Sequence, residues 1–257
     1  MKKPIVILRA GDAAPAVAAR RGQFAEWIVR VAGPEWAGNW STHDVRTEEV
    51  LPAVSGAAGF VITGSSSSVT ERAPWMLRLE AFVRDVAEAK VPLFGICFGH
   101  QIVAQALGGE VILNPRGREI GTVRVRRLRQ DAMFAAAPPE FDVNATHKDC
   151  VSQLPEGARL LAASELDPVQ AFAIGETIRC VQFHPEMDGD AMRGYVEARA
   201  HLIEEEGGDA KAILRGVTDA PDAEAILATW VRMFVKAQGG WRSAGSTSMS
   251  SEPPSRP

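Results

Sequence analysis

PLFGICFGHQIVAQALGG, residues Pro92–Gly109, joins a short apolar run to a stretch with helical spacing, and at the junction one cysteine stands between two glycines. Leu93–Ile96 has strand length. Ile102, Val103, Ala106 and Leu107 share one face of a helix that Gly108-Gly109 ends. A strand feeding directly into a helix is the repeating unit of a parallel α/β sheet. Gly95-Ile96-Cys97-Phe98-Gly99 is G-x-C-x-G, the thiol counterpart of the G-x-S-x-G nucleophile elbow, a strained strand-to-helix turn that lifts the nucleophile out of the sheet. Glycines two residues before and after let strand and helix approach closely. Cys97 also falls at a helix N-terminus, where unpaired amides and the macrodipole favour thiolate over thiol. Taken alone, the five residues equally describe an inert buried cysteine.

The same alternation extends in both directions. Ile5–Leu8 and Phe60–Thr63 are further strand-length apolar runs followed by Gly-containing turns. A helix is predicted from Pro74 to about Lys90, with Trp75, Met76, Leu79, Phe82, Val83 and Val86 on one stripe. After Gly121, TVRVRRL alternates valine and arginine, a strand with one wet face and an antiparallel partner; its arginines at 124, 126, 127 and 129 suit a solvated edge. Strands are expected around Phe141–Ala145, Leu160–Ala162, Val169–Ile174 and Ile178–Phe183. Residues 190–238 read as a helical C-terminal segment covering the sheet, with Met192, Tyr195, Val196, Leu202 and Ile203 on one stripe and Ile226, Leu227, Trp230, Phe234 and Val235 on another. The expected organisation is one domain over 1–240 and a disordered Ser/Pro-rich tail over 241–257.

A nucleophilic cysteine needs a base and an orienting group. QFHPEM places His184 at a strand end, where catalytic groups meet in α/β sheets. Pro185 keeps His184 extended, and Glu186 is positioned to bond one imidazole nitrogen and leave the other for Cys97. Acyl chemistry also needs donors for a developing oxyanion. The Phe98 amide, next after the nucleophile, supplies one; the Gly/Ser turn in VITGSSSSV, Val61–Val69, follows a strand and offers a second.

Composition narrows the function classes. Of 257 residues, 46% are hydrophobic and 23% charged, and 28 basic against 32 acidic side chains leave a formal charge of −4. No global positive field exists to hold nucleic acid or an anionic membrane, so neither is an expected partner. Cys97, Cys150 and Cys180, three at wide spacing, suit free thiols in a reducing, cytoplasmic compartment, and no apolar run is long enough to span a bilayer. No His/Cys cluster has zinc-like spacing, and neither a metal nor a cofactor is implied. Cys150 and Cys180 read as structural.

GICFGHQIVAQALGG together with QFHPE resembles the triad-type class I glutamine amidotransferases, most closely the glutaminase domain of GMP synthase and its stand-alone relatives. The likeness covers roughly residues 60–187 well and the N-terminal strands loosely. It implies a flavodoxin-like, doubly wound, mostly parallel sheet with helices on both faces and some antiparallel strands. The implied reaction is hydrolysis of the glutamine side-chain amide through a γ-glutamyl thioester, releasing ammonia and then glutamate. By the same resemblance Cys97 is the nucleophile, His184 the general acid and base, and Glu186 the orienting carboxylate. Ser65 and Phe98 give the oxyanion-hole amides, although serine departs from the second glycine of the family's usual Gly-Gly-Pro turn. Gly64 and Gln101 are expected beside the substrate. So are His147 and Asp149, in THKDCV, which resembles the family's Ser-His-x-Asp segment; a satisfied loop histidine is the competing reading of His147. His100 lies three residues past the nucleophile, unlike the related thiol enzymes that place histidine directly after it.

No Gly-Lys dipeptide exists to build a P-loop, and the segment after Glu186 is too small for a nucleotide-binding domain. Either a separate synthase subunit accepts the ammonia, or the chain acts alone as a γ-glutamyl hydrolase or peptidase. A catalytically idle binding protein on the same fold is the remaining alternative.

Overall fold

The computed structural model describes residues 2–47 and 50–236; the expected tail at 241–257 lies outside them. In chain order the elements are β1 (Ile5–Arg9), α1 (Pro15–Arg21), α2 (Phe24–Ala32), β2 (Trp40–Asp44), β3 (Gly59–Ile62), α3 (Pro74–Glu88), β4 (Leu93–Ile96), α4 (Phe98–Ala106), β5 (Glu110–Leu113), β6 (Glu119–Arg127) and β7 (Glu140–His147). There follow β8 (Asp149–Gln153), β9 (Arg159–Ala163), β10 (Ala171–Ile174), β11 (Ile178–Val181), α5 (Gly189–Ala198), α6 (Ala200–Glu205), α7 (Ala210–Gly216) and α8 (Pro221–Trp230), which continues into a π-helical stretch at Val231–Lys236.

Nine strands form one sheet in the order β2-β1-β3-β4-β11-β10-β9-β6-β7, and β5 pairs with β8 in a separate ribbon. From β2 to β11 the neighbours are parallel; from β11 to β7 they are antiparallel. Helices on both faces explain why the parallel strands read as continuous apolar runs. Along β1, Ile5 and Ile7 join the core under α2 and α8, whereas Val6 and Leu8 join the core under α3 and α4.

Two expectations are corrected. The arginine-bearing strand β6 lies between β9 and β7, so β7 is the edge. Its pairing with β9 is short, Arg126↔Ala163 and Arg127↔Ala162, leaving much of its length one-sided, which is what the wet face reflected. The C-terminal helices divide their work. Ile226, Leu227, Trp230, Phe234 and Val235 cover the sheet, but Met192, Tyr195, Val196 and Ile203 pack against α1 and Ile120 in a third core, with Leu202 half-buried. That third core closes one side of the region where β4 and β11 end.

Candidate active site

Register brings the site together. β4 and β11 run parallel with Ile96 opposite Val181, so the residues that follow each strand leave the sheet at the same edge. The Cys97 amide donates to Val181 O at 2.9 Å, which ties the turn after β4 to the end of β11. Cys97 has φ +51° and ψ −102°, a left-handed conformation costly for a residue with a Cβ. The flanking glycines make that turn possible. A Cβ on Gly95 would lie 2.5 Å from Gly99 O, and one on Gly99 would fall on Ile62 O. The strained cysteine turn between a buried strand and a buried helix is thus the elbow that the sequence spacing predicts.

His184 emerges three residues after β11. Its amide donates to Asn144 O at 2.8 Å, and the Asn144 side chain donates to Met187 O at 3.0 Å, so β7 holds both ends of the His184-Pro185-Glu186 turn. Within that turn His184 Nδ1 and Glu186 Oε1 lie 2.8 Å apart, both side chains buried. With Glu186 ionised, Nδ1 donates, and the imidazole turns Nε2 toward its other neighbour. Phe24 stacks on the ring with centroids 5.8 Å apart, and a Cβ on Gly64 would come within 2.7 Å of its Cε1. Arg30 donates to Glu186 O at 3.1 Å.

Thiol and imidazole are electrostatically matched. Burial pushes the Cys97 pKa up, but the charge of His184, its hydrogen bond to the thiol and the charge of His147 outweigh that, and the net shift is downward. Burial likewise opposes a charged His184, yet Glu186 and Cys97 together raise its pKa to about 10. The two shifts favour a thiolate–imidazolium pair. Burial instead raises the other thiols, Cys150 to about 11 and Cys180 further still. Only Cys97 has its thiolate favoured.

The two oxyanion-hole candidates lie on the turns that leave neighbouring strands. Phe98 is the first residue of α4, so its amide has no acceptor within the helix. Ser65 follows Gly64 on the loop leaving β3, the strand beside β4, and its Cα is packed so closely by Gly11 that a Cβ there would lie 2.6 Å away.

The remaining expected site residues look inward. Gln101 Nε2 donates to Asp149 O and to Gln182 Oε1, each at 3.0 Å, bracing α4 against the β7–β8 corner and β11. Asp149 accepts a hydrogen bond from the Ser68 hydroxyl. His147 is a buried strand residue whose Nδ1 faces Asp149 O at 3.0 Å and whose Nε2 faces Glu119 Oε2 at 2.9 Å, with Asp167 Oδ2 at 3.9 Å. Acceptors at both nitrogens favour the protonated ring. Burial opposes that charge, but Glu119 and Asp167 hold the His147 pKa above its usual value. Ser164 donates to the second oxygen of Glu119 at 2.6 Å. Sequence reasoning missed Glu119, Asn144, Asp167 and Gln182; each is a polar residue in a strand or a strand connection, with no spacing to connect it to Cys97.

The chain from residue 38 to 199 matches the family model described as glutamine amidotransferase class-I. The chain belongs to this family. Gamma-glutamyl peptidase 4 of Arabidopsis thaliana is 32% identical over 139 residues, which are 52% of this chain and 55% of that protein. GMP synthase [glutamine-hydrolyzing] of Aquifex aeolicus is 32% identical over 192 residues, 72% of this chain but 33% of that enzyme. The chain therefore spans little more than half of the former relative and a third of the latter. A glutamine amidotransferase from Thermotoga maritima superposes with a TM-score of 0.73 at 20% identity, covering 90% of this chain and 98% of that one, and so shares the fold. Among the described residues of this class-I amidotransferase chain, no helix is long and apolar enough to cross a membrane.

Proposed function

We propose that this class-I amidotransferase hydrolyses a γ-glutamyl amide, in the first instance the glutamine side chain, with Cys97 as nucleophile. The observation that carries the reading is the strained Cys97 turn held against the His184–Glu186 pair, with the thiol shifted toward thiolate and the imidazole toward imidazolium. The thiolate attacks the side-chain carbonyl carbon, and the oxyanion that develops accepts hydrogen bonds from the Phe98 and Ser65 amides. His184 gives its proton to the departing nitrogen, leaving a γ-glutamyl thioester. Water then attacks the thioester as His184 takes a proton from it, glutamate leaves, and the thiolate is restored. Glu186 fixes the tautomer and steadies the imidazolium throughout. Gln101, His147 and Asp149 act by holding the wall behind the thiol. In this scheme the ammonia passes to a separate synthase subunit, and three unpaired cysteines fit a reducing, cytoplasmic setting.

A second reading, a stand-alone γ-glutamyl peptidase, is favoured by the similarity to gamma-glutamyl peptidase 4. It uses the same bond chemistry with an amino acid or peptide as leaving group. Glutamate release from glutamine and from γ-glutamyl peptides, assayed side by side, tests both. Turnover of either class that disappears in Cys97→Ala supports the reaction, and the preferred class selects between the readings. Turnover that persists in Cys97→Ala overturns it.

A further inference from the structure

Thr63, the residue just past β3, is fully buried, and both sides of its hydroxyl are committed. The Ala10 amide donates to Thr63 Oγ1 at 3.0 Å, so the hydroxyl is the acceptor there and its own proton is given elsewhere. It goes to the carbonyl oxygen of Gly64, also at 3.0 Å. The Thr63 amide in turn donates to Leu8 O at 3.1 Å, so β1 and the chain just past it hold Thr63 by both its amide and its hydroxyl. A side chain bonded in this way sets the plane of the peptide that follows Gly64.

The N–H of that peptide belongs to Ser65. Among the described residues no peptide bond is cis, and in a planar trans peptide the C=O and N–H point in opposite directions. With the Gly64 carbonyl held toward the Thr63 hydroxyl and β1, the Ser65 N–H faces away from β1. On the other flank of β3 lies β4, which leads into Cys97. Gly64 itself stands at the reacting centre, since a Cβ there would come within 2.7 Å of His184 Cε1. Among the described residues the Ser65 amide meets no protein acceptor. The chain behind it is tied at each step: Gly11 leaves no room for a Cβ against Ser65 Cα, Asp12 accepts from Arg46 at 2.8 Å, the Ala13 amide donates to Gln23 Oε1 at 2.8 Å, and the Ala14 amide donates to the Tyr195 hydroxyl at 3.1 Å.

We propose that Thr63 is a positioning residue for the oxyanion hole: its hydroxyl locks the Gly64-Ser65 peptide so that the Ser65 amide, and not the Gly64 carbonyl, is presented to the developing charge, with the Gly11 loop as the backstop. Without the hydroxyl, rotation of this one peptide puts a carbonyl lone pair where negative charge develops and replaces attraction by repulsion. The proposal rests on the γ-glutamyl reading above and deepens it by naming what holds the second donor in place.

The test compares, in the full chain, Thr63→Val, which keeps the branched shape and removes the hydroxyl, with Thr63→Ser, which keeps the hydroxyl. Hydrolysis of glutamine or γ-glutamylglycine, whichever the parent turns over faster, is measured with kcat and KM separated. Thr63→Val is expected to lower kcat about 100-fold with KM within about 3-fold of the parent, and Thr63→Ser to restore kcat to within about 5-fold. Alkylation of Cys97 by iodoacetamide, a displacement that develops no oxyanion, keeps the parent's rate, and both limbs of the pH profile stay in place; a general loosening of the site would move them. Where Thr63→Val fails to fold, Gly11→Ala carries the test from the opposite side: its methyl displaces Ser65 and lowers kcat about 10-fold or more, with alkylation unchanged. Cys97-dependent hydrolysis that keeps the parent's kcat in these variants, a loss taken up in KM, a shifted alkylation rate, or no rescue by Thr63→Ser overturns the role of Thr63 and spares the reaction. A parent without Cys97-dependent hydrolysis of either substrate overturns both.

Discussion

Cys97 carries two costs that an inert core cysteine would not: a positive φ and a thiol drawn toward ionisation inside a buried site. Local strain of this kind persists where the surroundings over-determine it, here the Gly95–Gly99 packing and the bond from Cys97 N to Val181 O. The pH dependence follows from the directions of the two shifts. The Cys97 pKa is lowered, so activity appears on the acid side as the thiolate forms; that of His184 is raised to about 10, so the imidazolium is lost only in alkali. A bell-shaped kcat/KM profile with a broad plateau through neutrality is expected, its limbs belonging to the coupled pair. His184→Ala removes the main influence opposing desolvation. The pH at which iodoacetamide begins to alkylate Cys97 should then rise, by roughly one unit or more. Gly64→Ala makes a complementary steric test: the added methyl has no space beside the imidazole, so kcat is expected to fall at least 10-fold while the urea midpoint changes little. Cys97, His184 and Glu186 could be singled out in the sequence because the elbow and the strand-end His-Pro-Glu each have a local spacing. Glu119 has none, and its bond to His147 exists only after folding.

At the scale of elements, the pairing of β4 with β11 does for the site what no local motif can, since it brings residues 97 and 184 to one sheet edge. The helices α3 and α4 and the strands β3, β4 and β11 were legible because long apolar stripes or pure apolar runs specify them. β2 (WSTHD) and β8 (DCVSQ) were not, being short and polar, nor was β5 (EVIL), four residues long with its partner some forty residues away. The β7–β8 corner is the least legible part of the site. There the His147 ring, at the end of β7, meets Asp149 O at Nδ1 and Glu119 Oε2 from the neighbouring β6 at Nε2, with Asp167 from the β9–β10 connection 3.9 Å away. Removing it leaves the buried Glu119 carboxylate without its imidazole partner. His147→Ala should therefore destabilise the chain by about 3–5 kcal/mol, read as a lower urea midpoint with an unchanged m-value.

For the whole molecule, the parallel half of the sheet carries Cys97, and the antiparallel half supplies the Asn144 latch on the His184 turn. The C-terminal helices add Met192, Tyr195, Val196 and Ile203 to the third core, packed with Phe24 and Met187 on the side of the His184 turn. The net charge of −4 coexists with a cleft lined by Arg116, Arg118 and Lys148 against Glu206, so the local field there differs in sign from the global one. All of this turns on Cys97 accepting a γ-glutamyl group. The most direct measurement is peptide mapping by mass spectrometry after exposure to a diazoketone analogue of glutamine. One adduct is expected on Cys97, none on Cys150 or Cys180, and its formation should be strongly slowed in His184→Ala. An adduct on either of the other cysteines with Cys97 unmodified, or labelling of Cys97 indifferent to His184, would contradict the account.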